Sequence, residues 1–208
     1  DPKIKFPAYE PWISNDDQKI VSKALTQSML TFGPQLEKFE NDFCKYTKAK
    51  YAIAVSNCTA ALHLSLKAIG IKNDDEVIIP DLTFVADANA VLACNAKPVI
   101  TDINKNNFFL SISSIKKNIT KKTRAIIPVH IYGQVCNIEE ISDVARDNNL
   151  KIIEDCAHAV GTFHDSKHVG NIGNAGCFSF YPTKNITTAE GGMIITNSKK
   201  IAEKIRQL

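Results

Sequence analysis

Short apolar runs alternate with amphipathic stretches along the whole chain. Asp16 to Ser28 carries Ile20, Val21, Ala24 and Leu25 at helical spacing and predicts a first helix. Gly33-Pro34 breaks it. A second helix is predicted next, with Leu36, Phe39, Phe43 and Tyr46 on one stripe. Tyr51 to Val55 reads as a buried strand, Ser56 to Thr59 as a turn rich in capping residues, and Ala60 to Ala68 as a helix. The alternation then repeats. Strands are predicted at Glu76–Pro80, Pro98–Ile100, Thr123–Val129, Leu150–Glu154, Cys177–Phe180 and Gly192–Ile195. Helices are predicted over Phe84–Cys94, Ile138–Asn148 and Ser198–Leu208. The last starts at a plausible cap and has no terminating signal, so the sequence reads as part of a longer protein.

Strands alternating with helices of roughly 10–15 residues predict an α/β unit with a largely parallel sheet. Wholly apolar strands such as Ala125-Ile126-Ile127 suit a sheet covered on both faces. In such sheets ligands bind beyond the carboxyl ends of the strands. The polar residues at those ends are Ser56 to Thr59, Thr83-Phe84, His130, Asp155 and His158. No GxGxxG or GxxxxGK[ST] is present, so a nucleotide fold of either common kind lacks its signature. Asn104–Asn107 and Lys116–Lys122 are polar and basic, and are expected to be surface loops.

Composition narrows the classes further. The 208 residues are 44% hydrophobic and 23% charged, which is an ordinary globular balance able to bury a full core. A formal charge of +3, evenly spread, argues against nucleic acid. No apolar run reaches the roughly 20 residues of a membrane helix, so no membrane span is expected. Asp1-Pro2-Lys3-Ile4-Lys5 does not read as a signal peptide. The six cysteines form no CxxC and fall in apolar patterns; they read as reduced, mostly buried thiols of a cytoplasmic protein.

Several residues could carry chemistry. An aromatic strand, Cys177 to Phe180, delivers Lys184 into a loop that Glu190-Gly191-Gly192 closes. A lysine held in apolar or cationic surroundings loses its proton more readily and can attack a carbonyl, whereas a solvated surface lysine does neither. Asp155 ends its strand, where it is either functional or a cap for the next helix. His158 is either a core histidine or part of the same site. Ser56 to Thr59 offers free N–H groups at a helix start, suited to a phosphate or to simple capping, and Thr59 and Ser179 add hydroxyls. His164 and His168 are four apart but lie among glycines, so a loop is expected there and no metal site.

Together these residues are far more specific than any one alone. The chain resembles the pyridoxal-phosphate-dependent nucleotide-sugar aminotransferases, the DegT/DnrJ/EryC1/StrS family. The matching stretches are Ser56-Asn57-Cys58-Thr59-Ala60-Ala61-Leu62, Asp81 to Ala86, Pro128-Val129-His130-Ile131-Tyr132-Gly133, Glu154 to Ala159, and Cys177 to Asn185 through Glu190-Gly191-Gly192. Thr31 to Pro34 and Leu36 to Glu40 also fit the family's N-terminal arm and second helix. The resemblance covers the chain but only about the first half of a typical member. It implies that residues 1–208 are the N-terminal arm plus the cofactor-binding large domain of the fold type I, aspartate-aminotransferase-like class, without the C-terminal small domain.

Residue by residue, the resemblance implies that Lys184 holds pyridoxal 5'-phosphate as an internal aldimine and then moves the proton between Cα and C4′. Asp155 would keep the pyridine nitrogen protonated, Phe84 would lie against the ring, and His158 would approach its phenolic oxygen. Cys58, Thr59 and Ser179 would bind the phosphate, and His130 would line the substrate channel. The implied reaction is a ping-pong transamination from an amino acid, glutamate in most of the family, to a nucleotide-linked keto sugar such as a 4-keto-6-deoxyhexose. A homodimer with shared active sites is also implied. The sequence departs from the family pattern at Cys58 and Ala189, where Gly is common, and at Asn174, where Asp is frequent. Related sugar dehydratases carry His in place of the lysine, and Lys184 argues against that branch. A non-catalytic regulatory or binding homologue would have lost its cofactor residues, and no such loss is visible in Lys184, Asp155, Phe84 or Thr59.

Overall fold

A computed structural model of the chain describes residues 9–208, so the N-terminal segment considered for a leader lies outside the described residues. Helix α1 (Asn15–Leu25) begins at a capping box in which Ser14 and Asp17 satisfy each other's backbone N–H groups. Helix α2 (Pro34–Thr47) starts with proline in its first turn, where a missing N–H costs nothing. Strand β1 (Tyr51–Val55) and helix α3 (Cys58–Ala68) come after it, then β2 (Glu76–Pro80), α4 (Ala86–Ala93) and β3 (Lys97–Thr101). Helix α5 (Ile112–Asn118), β4 (Thr123–Ile126), α6 (Ile138–Asp147) and β5 (Lys151–Asp155) come next. A short hairpin, β6 (Phe163–His164) and β7 (Lys167–His168), precedes β8 (Ala175–Ser179), β9 (Gly192–Thr196) and α7 (Lys199–Gln207).

Seven strands form one sheet in the order β1-β9-β8-β5-β4-β2-β3. Strands β8, β5, β4, β2 and β3 are mutually parallel, and β9 runs antiparallel to both β8 and β1. The largely parallel sheet expected from the alternation is therefore present, with one reversed strand. Because β1 and β8 both oppose β9, their carboxyl ends lie at one edge, together with the start of β9 and the ends of β2, β4 and β5.

Alternate residues of the central strands face opposite layers. Val77, Ile79, Ala125, Ile127 and Ile153 pack under α3, α4 and α7, while Ile78, Ile126 and Ile152 pack against α5 and α6. A third cluster seats Phe43 of α2 on Phe178, Phe180, Met193 and Ile195. Full burial of each such side chain contributes about 1.5–3 kcal/mol relative to exposure. Both faces are thus covered, as the wholly apolar strands require.

Four local differences from the sequence reading have physical causes. The strand read as Thr123–Val129 ends at Ile126 because Pro128 cannot donate to the ladder; only an isolated bridge from Val129 to Asp155 continues it. The basic stretch Lys116–Lys122 is not all loop: its first part belongs to α5, which Ser111 caps and whose Ile115 is fully buried. His164 and His168 stand in the β6–β7 hairpin rather than in an open loop. The first helix forms, yet it buries none of its residues: Ile20, Val21 and Leu25 are exposed among the described residues.

Candidate active site

The sheet edge gathers side chains from distant parts of the chain. Asp155 sits at the end of β5, its N–H donating to Pro128 O at 2.9 Å and its carbonyl accepting from His130 N–H at 3.0 Å. Its carboxylate Oδ1 accepts from Ala157 N–H at 2.8 Å, a tight turn rather than a helix cap, since no helix comes directly after it. The side chain is only 5% exposed. Burial raises its pKa, opposed by the Ala157 N–H and by the cationic Lys184.

The first turn of α3 lies at the same edge. Asn57 caps the helix by accepting from Ala60 N–H at 2.8 Å, and its carbonyl takes Ala61 N–H. The N–H groups of Cys58 and Thr59 have no hydrogen-bond partner among the described residues, and the positive end of the helix backs them. Val55 and Ser179 both pair with Gly192 across β9, which brings this turn and the Ser179 hydroxyl together. Gly192 permits that approach: a Cβ there would lie 2.5 Å from the Asn57 carbonyl carbon. Cys58 is buried, and burial pushes its thiol pKa up, so it stands there as a small neutral group.

Lys184 lies beyond β8 in a turn closed by its own N–H to Tyr181 O at 2.9 Å. It is half-buried, and burial lowers the pKa of its amine while the charge of Asp155 opposes the shift. It lines an open cavity of about 1040 Å³ whose other walls are Tyr9 to Ile13, the α1 residues Asp17, Gln18, Ile20, Val21 and Ser22, and the rest of Pro182 to Ala189. Asp155, Phe84 and the α3 turn are not part of those walls. Phe84 is 72% exposed in the loop before α4, and no aromatic ring pairs with it among the described residues.

His158 is partly buried, and burial with the nearby Lys184 lowers its pKa, favouring the neutral ring. Its Nδ1 accepts from Tyr132 N–H at 3.3 Å, which leaves Nε2 as the protonated nitrogen. The Tyr132 ring stacks on it with centroids 5.7 Å apart and planes 13° from parallel. Tyr132 takes a positive φ of 52° to do so, an unusual conformation for a bulky residue.

His130 departs from its expected place. It is 0% exposed, its Nε2 bonds Glu154 Oε2 at 3.0 Å, and its Nδ1 accepts from Cys136 N–H at 3.2 Å. With both nitrogens engaged in the core, it lines no substrate channel. Its partner Glu154 also accepts from the N–H groups of Gly170, Ile172 and Gly173 at 2.8, 2.8 and 2.6 Å. This buried carboxylate ties the loop before β8 to the strand that carries Asp155. Sequence reasoning did not single out Glu154 or Tyr132. It also passed over Asp87, an acid on the buried stripe of α4 with Ala86, Ala90 and Val91. An acidic residue on an apolar stripe was the available signal.

Taken chemically, the edge offers N–H groups for a phosphate, a buried carboxylate for a protonated ring nitrogen, and a weakened amine for a carbonyl. Several known proteins are similar to the chain over nearly its whole length. A protein of Methanocaldococcus jannaschii described as uncharacterized is 46% identical over 98% of this chain and 53% of its own length. The GDP-perosamine synthase of Vibrio cholerae is 40% identical over 98% of this chain and 56% of its own. The structure of NtdA from Bacillus subtilis, solved with bound cofactor PMP, superposes with a TM-score of 0.85 at 33% identity, covering 99% of this chain and 49% of that one. The chain thus spans about half the length of the proteins it matches. The DegT/DnrJ/EryC1/StrS aminotransferase family matches residues 11–208, and the chain belongs to that family.

Proposed function

We propose that the full protein is a pyridoxal-phosphate-dependent aminotransferase that moves an amino group from an amino acid, glutamate by preference, to a nucleotide-linked keto sugar of the 4-keto-6-deoxyhexose type. The observation that carries this reading is the convergence of Lys184, Asp155 and the Cys58–Thr59 turn at one sheet edge. Gly192, Ser179 and the unpartnered N–H groups leave a cradle that fits a phosphate. Bound there, the cofactor supplies the electron sink for breaking the Cα–H bond of the donor.

In this reading the chain's own residues divide the work. Cys58 and Thr59 N–H and the Ser179 hydroxyl hold the phosphate, and Phe84 closes over one face of the ring. Asp155 holds a proton on the ring nitrogen, and His158 Nε2–H donates to the phenolic oxygen. Lys184 Nζ anchors the cofactor and then carries the proton to and from the reacting carbon; its lowered pKa suits both tasks. Residues 1–208 act as N-terminal arm and large domain. The exposed apolar stripe of α1 supports a homodimer and a second domain, either of which would cover it. All six cysteines are free thiols, five of them buried, which suits the reducing cytoplasm. No helix among the described residues is long and apolar enough to cross a membrane.

The test uses the full-length protein. Addition of pyridoxal phosphate is expected to give a visible absorbance band that glutamate bleaches with release of 2-oxoglutarate. A panel of nucleotide-linked keto sugars should then restore the band, with the amino sugar seen by mass spectrometry. A folded protein that never takes up the cofactor would end this reading.

Gly192→Ala gives a narrower check on the phosphate cradle. The added methyl must displace the Asn57–Cys58 backbone, a strain of about 1–3 kcal/mol. Cofactor affinity is expected to fall by about tenfold or more, read by equilibrium titration. An unchanged affinity would remove the α3 turn from the phosphate site.

A further inference from the structure

Two buried carboxyl groups meet beneath this site. Asp87 of α4 is 0% exposed and Asp155 at the end of β5 is 5% exposed, and their carboxyl groups lie close enough to hydrogen-bond once one of them carries a proton. Asp87 Oδ2 accepts from the Thr83 hydroxyl at 2.5 Å. Its Oδ1 is buried and has no donor among the described residues. Two ionised carboxylates this close would repel by about 4 kcal/mol at 4 Å in a typical protein environment. A carboxylate oxygen without a donor is a further cost. One proton between them removes both penalties.

The surroundings decide which group holds it. Asp155 has the Ala157 N–H and the cationic Lys184 to stabilise its charge, with His130 behind it. Asp87 has a neutral hydroxyl only. The other titratable groups facing the pair are the thiols Cys58, Cys156 and Cys177, all kept protonated by burial, and the carboxylate Glu154 on β5, already saturated by its own donors.

We propose that Asp87 is a carboxylic acid at neutral pH and donates a hydrogen bond from Oδ1 to Asp155, so that the two form a dyad with one proton and one negative charge. Burial and the charge of Asp155 both push the Asp87 carboxyl well above the usual carboxylate range. Asp87 is then a positioning residue. Its O–H keeps Asp155 ionised and fixes the direction of the carboxylate that faces the ligand. This consequence rests on the role given to Asp155 above; the protonation state of the pair does not.

The experiment is infrared spectroscopy on the full-length, cofactor-free protein, with aspartate labelled at the side-chain carboxyl carbon. An isotope-shifted carboxylic-acid C=O band is expected to persist at neutral pH, when every surface aspartate is ionised. Asp87→Asn, whose amide N–H replaces the donor, is expected to lose the band. Should that variant fail to fold, Thr83→Val must move the band, because it removes the donor on Oδ2. No protonated aspartate at neutral pH in the wild type, a band that survives Asp87→Asn, or one that Thr83→Val leaves in place would each overturn the dyad. In the cofactor-loaded protein Asp87→Ala is expected to lose tenfold or more in kcat, and Asp87→Asn to recover most of it. Equal losses in both would overturn the positioning role. The infrared result needs no cofactor, so it stands or falls apart from the aminotransferase reading.

Discussion

Lys184→Ala in the full-length protein is expected to abolish the covalent attachment of pyridoxal phosphate while leaving the protein folded. The side chain is half-buried, and its own backbone turn, Lys184 N–H to Tyr181 O, does not need the amine. Transamination should fall by at least about 10²–10⁴-fold, the share of positioned acid–base catalysis alone. Loss of the anchor adds to that. Lys184→Arg sharpens the test. Arginine keeps the positive charge beside Asp155 but does not give up its proton, so it can neither add to a carbonyl nor shuttle hydrogen. If the lysine acts as nucleophile and proton carrier, both variants lose the visible band and the activity. If it only balances the charge of Asp155, the arginine variant keeps its rate, and that result would remove Lys184 from the chemistry. The melting temperature of each variant, taken without cofactor, separates a lost reaction from a lost fold.

How far the sequence discloses such a site depends on what kind of statement each residue requires. Alternating apolar runs report burial, and they locate the strands well because a strand covered on both faces has no polar residue to spare. Ile152 and Ile153 illustrate this, each serving a different layer. The carboxyl-end rule for parallel sheets then points to Asp155, His158 and the α3 turn, and the resemblance supplies a role for each. The same rule misplaces His130. It does come after a strand, but the partner of its ring is Glu154 on the neighbouring strand, and no local pattern reveals a cross-strand bond. Asp87 and Asp155 are 68 residues apart in number, and their meeting depends on how α4 settles over the end of β5. The stripe on α1 shows the converse limit. Periodicity identifies the apolar face, but it does not say whether this part of the chain provides the cover, and among the described residues it does not.

Asp155→Asn is expected to leave the cofactor attached and the reaction slow. The substitution keeps the size of the side chain, and an amide oxygen can still accept from Ala157 N–H, whose bond to Oδ1 is 2.8 Å in the wild type. What disappears is the buried negative charge. Removing one partner of a buried charge pair costs about 3–5 kcal/mol, so kcat should fall by roughly 10²–10⁴-fold. The visible band formed with Lys184 should remain, because forming that bond needs the amine and the carbonyl and not the ring nitrogen. The neighbouring Asp87 gives the variant a second signature. Without the charge of Asp155 beside it, Asp87 loses one of the two causes that hold its proton, and its carboxyl should titrate at a lower pH than in the wild type, with burial still keeping it above an ordinary aspartate. Stopped-flow spectra of the half-reaction with glutamate would show whether the slow step is proton transfer. Wild-type bleaching rates in Asp155→Asn would mean that the ring nitrogen is served by another group, and Asp155 would return to its structural role as a turn residue at the end of β5.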